Sequence, residues 1–341
     1  MSELRQNIAT KEWYVLATER AKRPEDFVAA KPKREKVAKS DKCPFCPGNE
    51  AMTPPATLEL PGASGWQVRA VPNKFSAFSP VGSRERHAKG IYRSMSGVGI
   101  HEVIIETPRH DLTIALLPVS DVETVVEAYR SRYLQVSQDP RVEHIILFKN
   151  HGESAGCSLE HPHSQLIATP LVPTHIRYRL EEARHFHDDT GQCVFCVMVK
   201  EERKARERMV YEDDLFVAFA PYASGGPFEV WILPKRHQAS FGDISDEEVE
   251  SLALTLKDVL ARMYHGLSDP DFNYVIRSVP KDERQVKCFH WYIKLMPKLA
   301  RVAGFELGTG MFVNVTLPEA NAKFLREVKL PSQAPTTALP C

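Results

Sequence analysis

The chain has 341 residues, enough for two ordinary domains or one large one, and its 44 basic and 44 acidic residues leave no net charge. Without a general field to draw in nucleic acid or an anionic membrane, any anionic substrate must be met by locally placed cations. No apolar run approaches the ~20 residues of a membrane span, and the N-terminus carries charges where a secretion signal has an apolar core, so a soluble cytoplasmic protein is expected.

The first predicted strand is 13–18, from its aromatic and β-branched content. It leads into Arg20-Ala21-Lys22-Arg23-Pro24, where three cations in four residues can grip a diphosphate, and then into an exposed Lys/Ala-rich loop over 31–39. Cys43-Pro44-Phe45-Cys46-Pro47-Gly48 reads as a tight knuckle presenting two thiolates to one metal. Residues 83–99 show little periodicity and read as a mobile loop. A strand follows over 101–106, ending at Thr107-Pro108-Arg109-His110. Ser120-Asp121-Val122-Glu123 has capping-box spacing and opens a helix to about Val136, and the Asp139-Pro140 turn leads to a strand over 144–148.

Next come Asn150-His151-Gly152-Glu153-Ser154-Ala155-Gly156, whose glycines and polar groups can supply phosphate donors, and Cys157-Ser158-Leu159-Glu160-His161-Pro162-His163-Ser164-Gln165. In a strand, residues two apart share a face, so His161, His163 and Gln165 line one surface while Pro162 and Ser164 face away. Cys157 reads as a small packed residue.

The second half repeats this order. Cys193-Val194-Phe195-Cys196 precedes a strand over 228–233 that ends Pro234-Lys235-Arg236-His237. A second capping box, Ser245-Asp246-Glu247-Glu248, opens a helix to about Tyr264, and a second Asp-Pro turn, Asp269-Pro270, precedes a strand over 273–277 and then Cys288-Phe289-His290. His110 to His161 spans 51 positions and His237 to His290 spans 53, so element order and spacing both argue for an internal duplication. The expected division is an N-terminal catalytic half over 1–178, a degenerate half over 179–330, and a Pro/Ser/Thr-rich disordered tail over 331–341. His185 and His187, just before the second knuckle, are expected in a solvated polar turn.

Seven cysteines dominated by two Cys-x-x-Cys pairs favour metal over a disulfide framework in a cytosolic chain. Each half offers a Cys₂His₂ set suited to tetrahedral zinc, Cys43, Cys46, His110 and His161 in the first and Cys193, Cys196, His237 and His290 in the second. Four protein ligands leave no open position, so both zinc sites are expected to be structural. The alignment sets His163 opposite Tyr292 and Gln165 opposite Lys294. With His161 committed to metal, His163 is the free imidazole present in one half only, and it is the candidate nucleophile. A neutral ring can attack phosphorus through one nitrogen while the other nitrogen's hydrogen is held by an acceptor, and the His161 backbone carbonyl is a rigid source of one. Ser158 can then donate to phosphate oxygens, and Gln165 to a non-bridging oxygen as charge develops.

These motifs, together with Asn73-Lys74-Phe75 and Gly304-Phe305-Glu306, resemble the galactose-1-phosphate uridylyltransferase family of the histidine-triad superfamily over nearly the whole chain. The resemblance implies an α+β fold of two histidine-triad-like halves forming an open half-barrel of mostly antiparallel strands with outer helices. A homodimer is implied, with active-site residues borrowed across the interface. It also implies ping-pong chemistry in which His163 takes a nucleotidyl group from a nucleoside diphosphate sugar and an acceptor phosphate collects it. Phosphate contacts map onto Arg20, Arg23, Ser158 and Gln165, base and ribose contacts onto Asn73 and Phe75, and further substrate contacts onto Asn150 and Glu306. Hydrolytic relatives carry a histidine in place of Gln165. The leading expectation is uridylyl transfer between UDP-glucose and galactose 1-phosphate. Two departures point elsewhere, namely Lys74 where the uridylyl enzymes carry an acidic residue and Phe312 where they carry a glutamine. The form Gly304-Phe305-Glu306-Leu307-Gly308-Thr309-Gly310 resembles relatives that move adenylyl groups from ADP-glucose or adenylylsulfate to inorganic phosphate.

Overall fold

The computed structural model describes residues 2–17, 19, 24–27, 37–63 and 65–331. The basic stretch with Arg20 and Arg23, most of the 31–39 loop and nearly all of the C-terminal tail lie outside these residues. The strands are β1 (Glu3–Gln6), β2 (Trp13–Leu16), β3 (Leu58–Gly62), β4 (Gly65–Pro72), β5 (Arg86–Lys89), β6 (Tyr92–Met95), β7 (Ile100–Ile105), β8 (His144–His151), β9 (His163–Thr169), β10 (Met209–Glu212), β11 (Phe216–Phe219), β12 (Val230–Pro234), β13 (Phe272–Arg277), β14 (Tyr292–Pro297) and β15 (Val313–Asn314). The helices are α1 (Val119–Ser137), α2 (Thr174–Thr190), α3 (Val194–Ala205), α4 (Asp246–Gly266), α5 (Gly304–Thr309) and α6 (Pro318–Glu327).

Ten strands form one open sheet in the order β10-β11-β12-β14-β13-β8-β9-β7-β4-β3. Every neighbouring pair in it is antiparallel. The order is palindromic about the β13/β8 seam, each half contributing five strands, so the duplication seen in the sequence is also a duplication of strand pairing. A small sheet, β1-β2-β15, lies apart from it, with β15 parallel to β2.

Alternation decides what each strand gives to each face. Leu166 and Ala168 of β9 and Ile293 and Leu295 of β14 join one large core beneath α1 and α4, with Val122, Val126, Leu252 and Leu256 from the helices. The opposite face carries two smaller clusters, one around Cys43, Phe45 and Cys46 and one around Cys193, Phe195 and Tyr292. Odd-numbered β9 residues face the first of these, and this is the face that carries the chemistry.

Helix α4 starts with the expected capping box, the Ser245 hydroxyl accepting from the Glu248 amide at 3.2 Å and Glu248 accepting from the Ser245 amide at 2.8 Å. Its counterpart differs from expectation. Helix α1 begins at Val119 after Pro118, without a side-chain cap, because the proline fixes the entering backbone and draws Ser120 inside the first turn. The expected mobile loop over 83–99 contains the β5–β6 hairpin, closed by a two-residue turn at Gly90, whose φ of 62° a glycine adopts freely. His185 and His187 are in α2 rather than in a turn.

Candidate active site and paired metal-ligand sets

The site grows from the junction between the first knuckle and β9. Cys46 Sγ lies 3.5 Å from both His110 Nδ1 and His161 Nδ1. In the second knuckle, Cys196 Sγ lies 3.4 Å from His237 Nδ1 and 3.6 Å from His290 Nδ1. Within each set the four ligand atoms fall within 4.8 Å of one another. A tetrahedral zinc with ordinary Zn–S and Zn–N bonds sets sulfur and nitrogen about 3.5 Å apart, so both donor sets fit such an ion. The outer contacts agree. His161 Nε2 donates to the Thr107 carbonyl and His290 Nε2 to the Pro234 carbonyl, each at 2.8 Å, leaving Nδ1 as the metal-facing nitrogen in both halves. Two Cys/His groups that can bind metal ions are therefore present.

His161 ends the loop and His163 begins β9, so the expected three-residue row is a loop residue followed by strand residues. His163 Nδ1 donates to the His161 carbonyl at 2.8 Å, which leaves Nε2 with the free lone pair. Burial, with a smaller contribution from Lys149, holds the imidazole below its ordinary pKa against the opposing His161 carbonyl, so the ring is neutral at pH 7. Burial likewise pushes His161 down to about 4. Phe45, from the knuckle, packs edge-on to the His163 ring with centroids 5.3 Å apart. Behind the strand, Lys149 Nζ donates to the His163 carbonyl at 3.2 Å and pairs with Glu106, which also accepts from Tyr129 at 2.8 Å and from Ser164. This buried network holds the start of β9 from its far side.

A cavity of about 570 Å³ opens beside His163, lined also by Asn150, Ser158, Glu160 and Asp271. The structure thus brings His163, Asn150 and Ser158 together. Some of the donors expected from the approach loop are engaged within the chain. The amides of Ala155, Gly156 and Cys157 bond carbonyls within the loop, and the Ser154 amide and hydroxyl bond Asp271, so these groups already have partners. Ser158 is exposed to the cavity, and Asn150 Oδ1 accepts from Asn273 at 2.8 Å.

Gln165 is held one step along the strand. Its Oε1 lies 2.8 Å from His101 Nε2, which is 3.1 Å from Asn73 Nδ2. His101 therefore joins two predicted site residues. Phe75 is 86% exposed, and its backbone amide donates to Asn73 Oδ1 at 2.8 Å. Glu306 lines a different cavity in the same chain. His101, Lys149, Glu106 and Asp271 were not singled out in the sequence, since none carries a motif and only strand register brings them here.

With this geometry in place, comparison with known proteins is specific. The family descriptions "Galactose-1-phosphate uridyl transferase, N-terminal domain" and "C-terminal domain" match residues 1–173 and 177–333. The chain belongs to the galactose-1-phosphate uridylyltransferase family. An ADP-glucose phosphorylase of Arabidopsis thaliana is 35% identical over 333 residues, 96% of this chain and 93% of that protein. A galactose-1-phosphate uridylyltransferase of Thermotoga maritima is 32% identical over 343 residues, 97% of this chain and 99% of that one. The crystal structure of an Arabidopsis thaliana ADP-glucose phosphorylase with bound ADP-glucose superposes with a TM-score of 0.83 at 32% identity, covering 97% of this chain and all of that one. This member of the galactose-1-phosphate uridylyltransferase family is a nucleotidylyltransferase, and the open, mostly antiparallel α+β sheet is the family's architecture. No helix among its described residues is long and apolar enough to cross a membrane.

Proposed function

We propose that residues 1–178 form the catalytic half of a ping-pong nucleotidylyltransferase whose nucleophile is His163. The observation that carries this is the 2.8 Å hydrogen bond from His163 Nδ1 to the His161 carbonyl in a neutral, buried ring. Nε2 attacks the α-phosphorus of a nucleoside diphosphate sugar. The P–N bond forms as the P–O bond to the departing sugar phosphate breaks, and that oxygen leaves with the electron pair. Nδ1 keeps its proton, so the nucleotidyl-imidazole is cationic and the His161 carbonyl stabilises it. An acceptor phosphate then attacks phosphorus and breaks the P–N bond. Both leaving groups are phosphates or imidazole, so no general acid is needed, and Gln165 serves as an amide contact to a phosphate oxygen.

Zinc would be held by Cys43, Cys46, His110 and His161 and by Cys193, Cys196, His237 and His290. Bound zinc supplies rigidity here, fixing the loop whose carbonyl orients His163. Arg20 and Arg23 supply the phosphate cations. Glu306 is supplied to the reacting site by the second copy of a homodimer, because within one chain it faces a different cavity from His163. The protein works in the cytoplasm.

For the donor, adenylyl transfer from ADP-glucose to inorganic phosphate is supported by Lys74, by Phe312 and by the ADP-glucose-bound relative. The His161-Pro162-His163-Ser164-Gln165 core and the Thermotoga relative favour UDP-glucose and galactose 1-phosphate. Incubation with UDP-glucose, ADP-glucose or adenylylsulfate, each labelled at the α-phosphorus, separates them. The label retained on denatured wild type and lost in His163→Asn names the donor, and no retained label from any of the three contradicts the proposal.

A further inference from the structure

The strand registers give the catalytic pocket a counterpart in the other half of the sheet. Gln165 lies opposite Phe148 of β8 and Val103 of β7, and Lys294 lies opposite Val275 of β13 and Trp231 of β12. Continuing these registers by two residues sets Tyr292 in the place of His163, Arg277 in the place of Asn150 and Glu229 in the place of His101. Even a side-chain contact is repeated. Glu229 Oε1 lies 2.9 Å from Lys294 Nζ, as His101 lies 2.8 Å from Gln165. In this half a phenol has replaced the nucleophile and cations have replaced two amides.

Arg277 and Lys294 open onto a cavity of about 270 Å³, whose wall also carries Arg179 from α2. Its carboxylates are well supplied with donors. Glu12 accepts from Arg179 at 3.3 Å, Tyr14 at 2.7 Å and Thr10 at 3.0 Å, and Glu229 accepts from the Trp231 indole at 2.8 Å and the Gly225 amide at 3.1 Å in addition to Lys294. The cations are not so well supplied. Among the described residues no carboxylate pairs with Arg277, whose Nη1 meets only His175, at 3.2 Å. The Arg277 Nε, the Arg179 Nη1 and the Tyr292 hydroxyl are buried without hydrogen-bond partners. Five Lys/Arg against three Glu line the cavity, two positive charges in excess.

A buried guanidinium without a counterion is costly, and guanidinium forks are matched by the several acceptor oxygens of a phosphoryl dianion. We propose that this cavity is a second, non-catalytic anion site that binds inorganic phosphate, or the phosphoryl group of a sugar phosphate, between Arg179 and Arg277. Its volume is under half that of the cavity beside His163 and suits a phosphate or small sugar phosphate. With tyrosine where the imidazole stands in the other half, the bound group is held and not transferred. The assignment does not depend on which donor reacts at His163.

Two measurements test it. In wild-type crystals soaked with sodium tungstate, an anomalous peak is expected between Arg179 and Arg277, placed so that tungstate oxygens accept from Arg277 Nε and Arg179 Nη1. No peak there, at a concentration that fills the cavity beside His163, overturns the assignment. In equilibrium dialysis with radiolabelled inorganic phosphate, wild type is expected to bind at two sites per chain. The Arg179→Gln/Arg277→Gln variant should weaken one of them at least about tenfold, through removal of the charge-assisted hydrogen bonds, while the other is unchanged. Unaltered binding at both sites in a variant with native circular dichroism and metal content contradicts the proposal. The tungstate soak decides the matter if that variant does not fold.

Discussion

The two ring nitrogens of His163, the proposed nucleophile, are made inequivalent, one held by the His161 carbonyl and one left open. Two neighbours reinforce that arrangement and each gives a test. Lys149 and Glu106 are both within 1% of full burial, and the carboxylate stays ionised because Lys149, Ser164 and Tyr129 outweigh the cost of its burial. Lys149→Met leaves that carboxylate uncompensated and is expected to destabilise the fold by about 3–5 kcal/mol in denaturant melts, whereas Lys149→Met/Glu106→Gln recovers most of the stability. Equal destabilisation in both variants would count against the ion pair as the cause. His101 positions the Gln165 amide. Gln165→Ala should lower kcat about 100-fold with little change in KM, as when an oxyanion donor is removed, and His101→Phe, which only misaligns that donor, should lower kcat by about a tenth as much. The two Cys/His groups and the proposed nucleophile could be named from the sequence because their spacing is chemical and local. His101 was not, since its role follows from facing Gln165 across a strand pair that forms only on folding.

Among the elements, the second capped helix was legible because Ser245 and Glu248 satisfy each other's backbone amides within one turn. The first was displaced by Pro118, whose backbone constraint outweighs the Ser120 hydroxyl. The β5–β6 hairpin was missed because its strand residues are nearly all exposed and so lack the apolar alternation by which a half-buried strand is recognised. Glu212 ties α3 to the strands, lying 2.7 Å from Arg203 and 2.9 Å from Lys235 and also paired with Arg206. Burial raises its pKa but is outweighed by these cations, and the carboxyl is brought down to about 2 from 4.5. A depressed folded-state value gives stability that is fully present above the unfolded-state pKa and is lost as pH falls through the folded one. The difference in melting midpoint between wild type and Glu212→Gln is therefore expected to be constant above about pH 5 and to shrink between 4.5 and about 2. A difference that persists unchanged to the acid end would show that the cations do not act through the ionised carboxylate.

Across the whole molecule, one duplicated scaffold keeps two Cys/His sets that can bind metal but only one copy of the histidine proposed as nucleophile. Because the His161 carbonyl orients His163, chelating the first ion is expected to lower nucleotidyl transfer together with the melting temperature. His237→Asn, in the second set, should lower the melting temperature and metal content with a smaller effect on transfer, measured by elemental analysis and initial rates. The repeat was legible from matched histidine spacings of 51 and 53 positions. The palindromic strand order and the cationic counterpart pocket were not, since both depend on which strands pair across the seam. The central claim is that nucleotidyl transfer passes through a covalent bond to one histidine. Its most direct measurement is peptide mapping by mass spectrometry after incubation with the donor and no acceptor. One nucleoside monophosphate is expected on the peptide carrying His163, removed when the acceptor phosphate is added and absent in His163→Asn. Full transfer activity with no modified peptide, or a modification elsewhere that survives in His163→Asn, would contradict it.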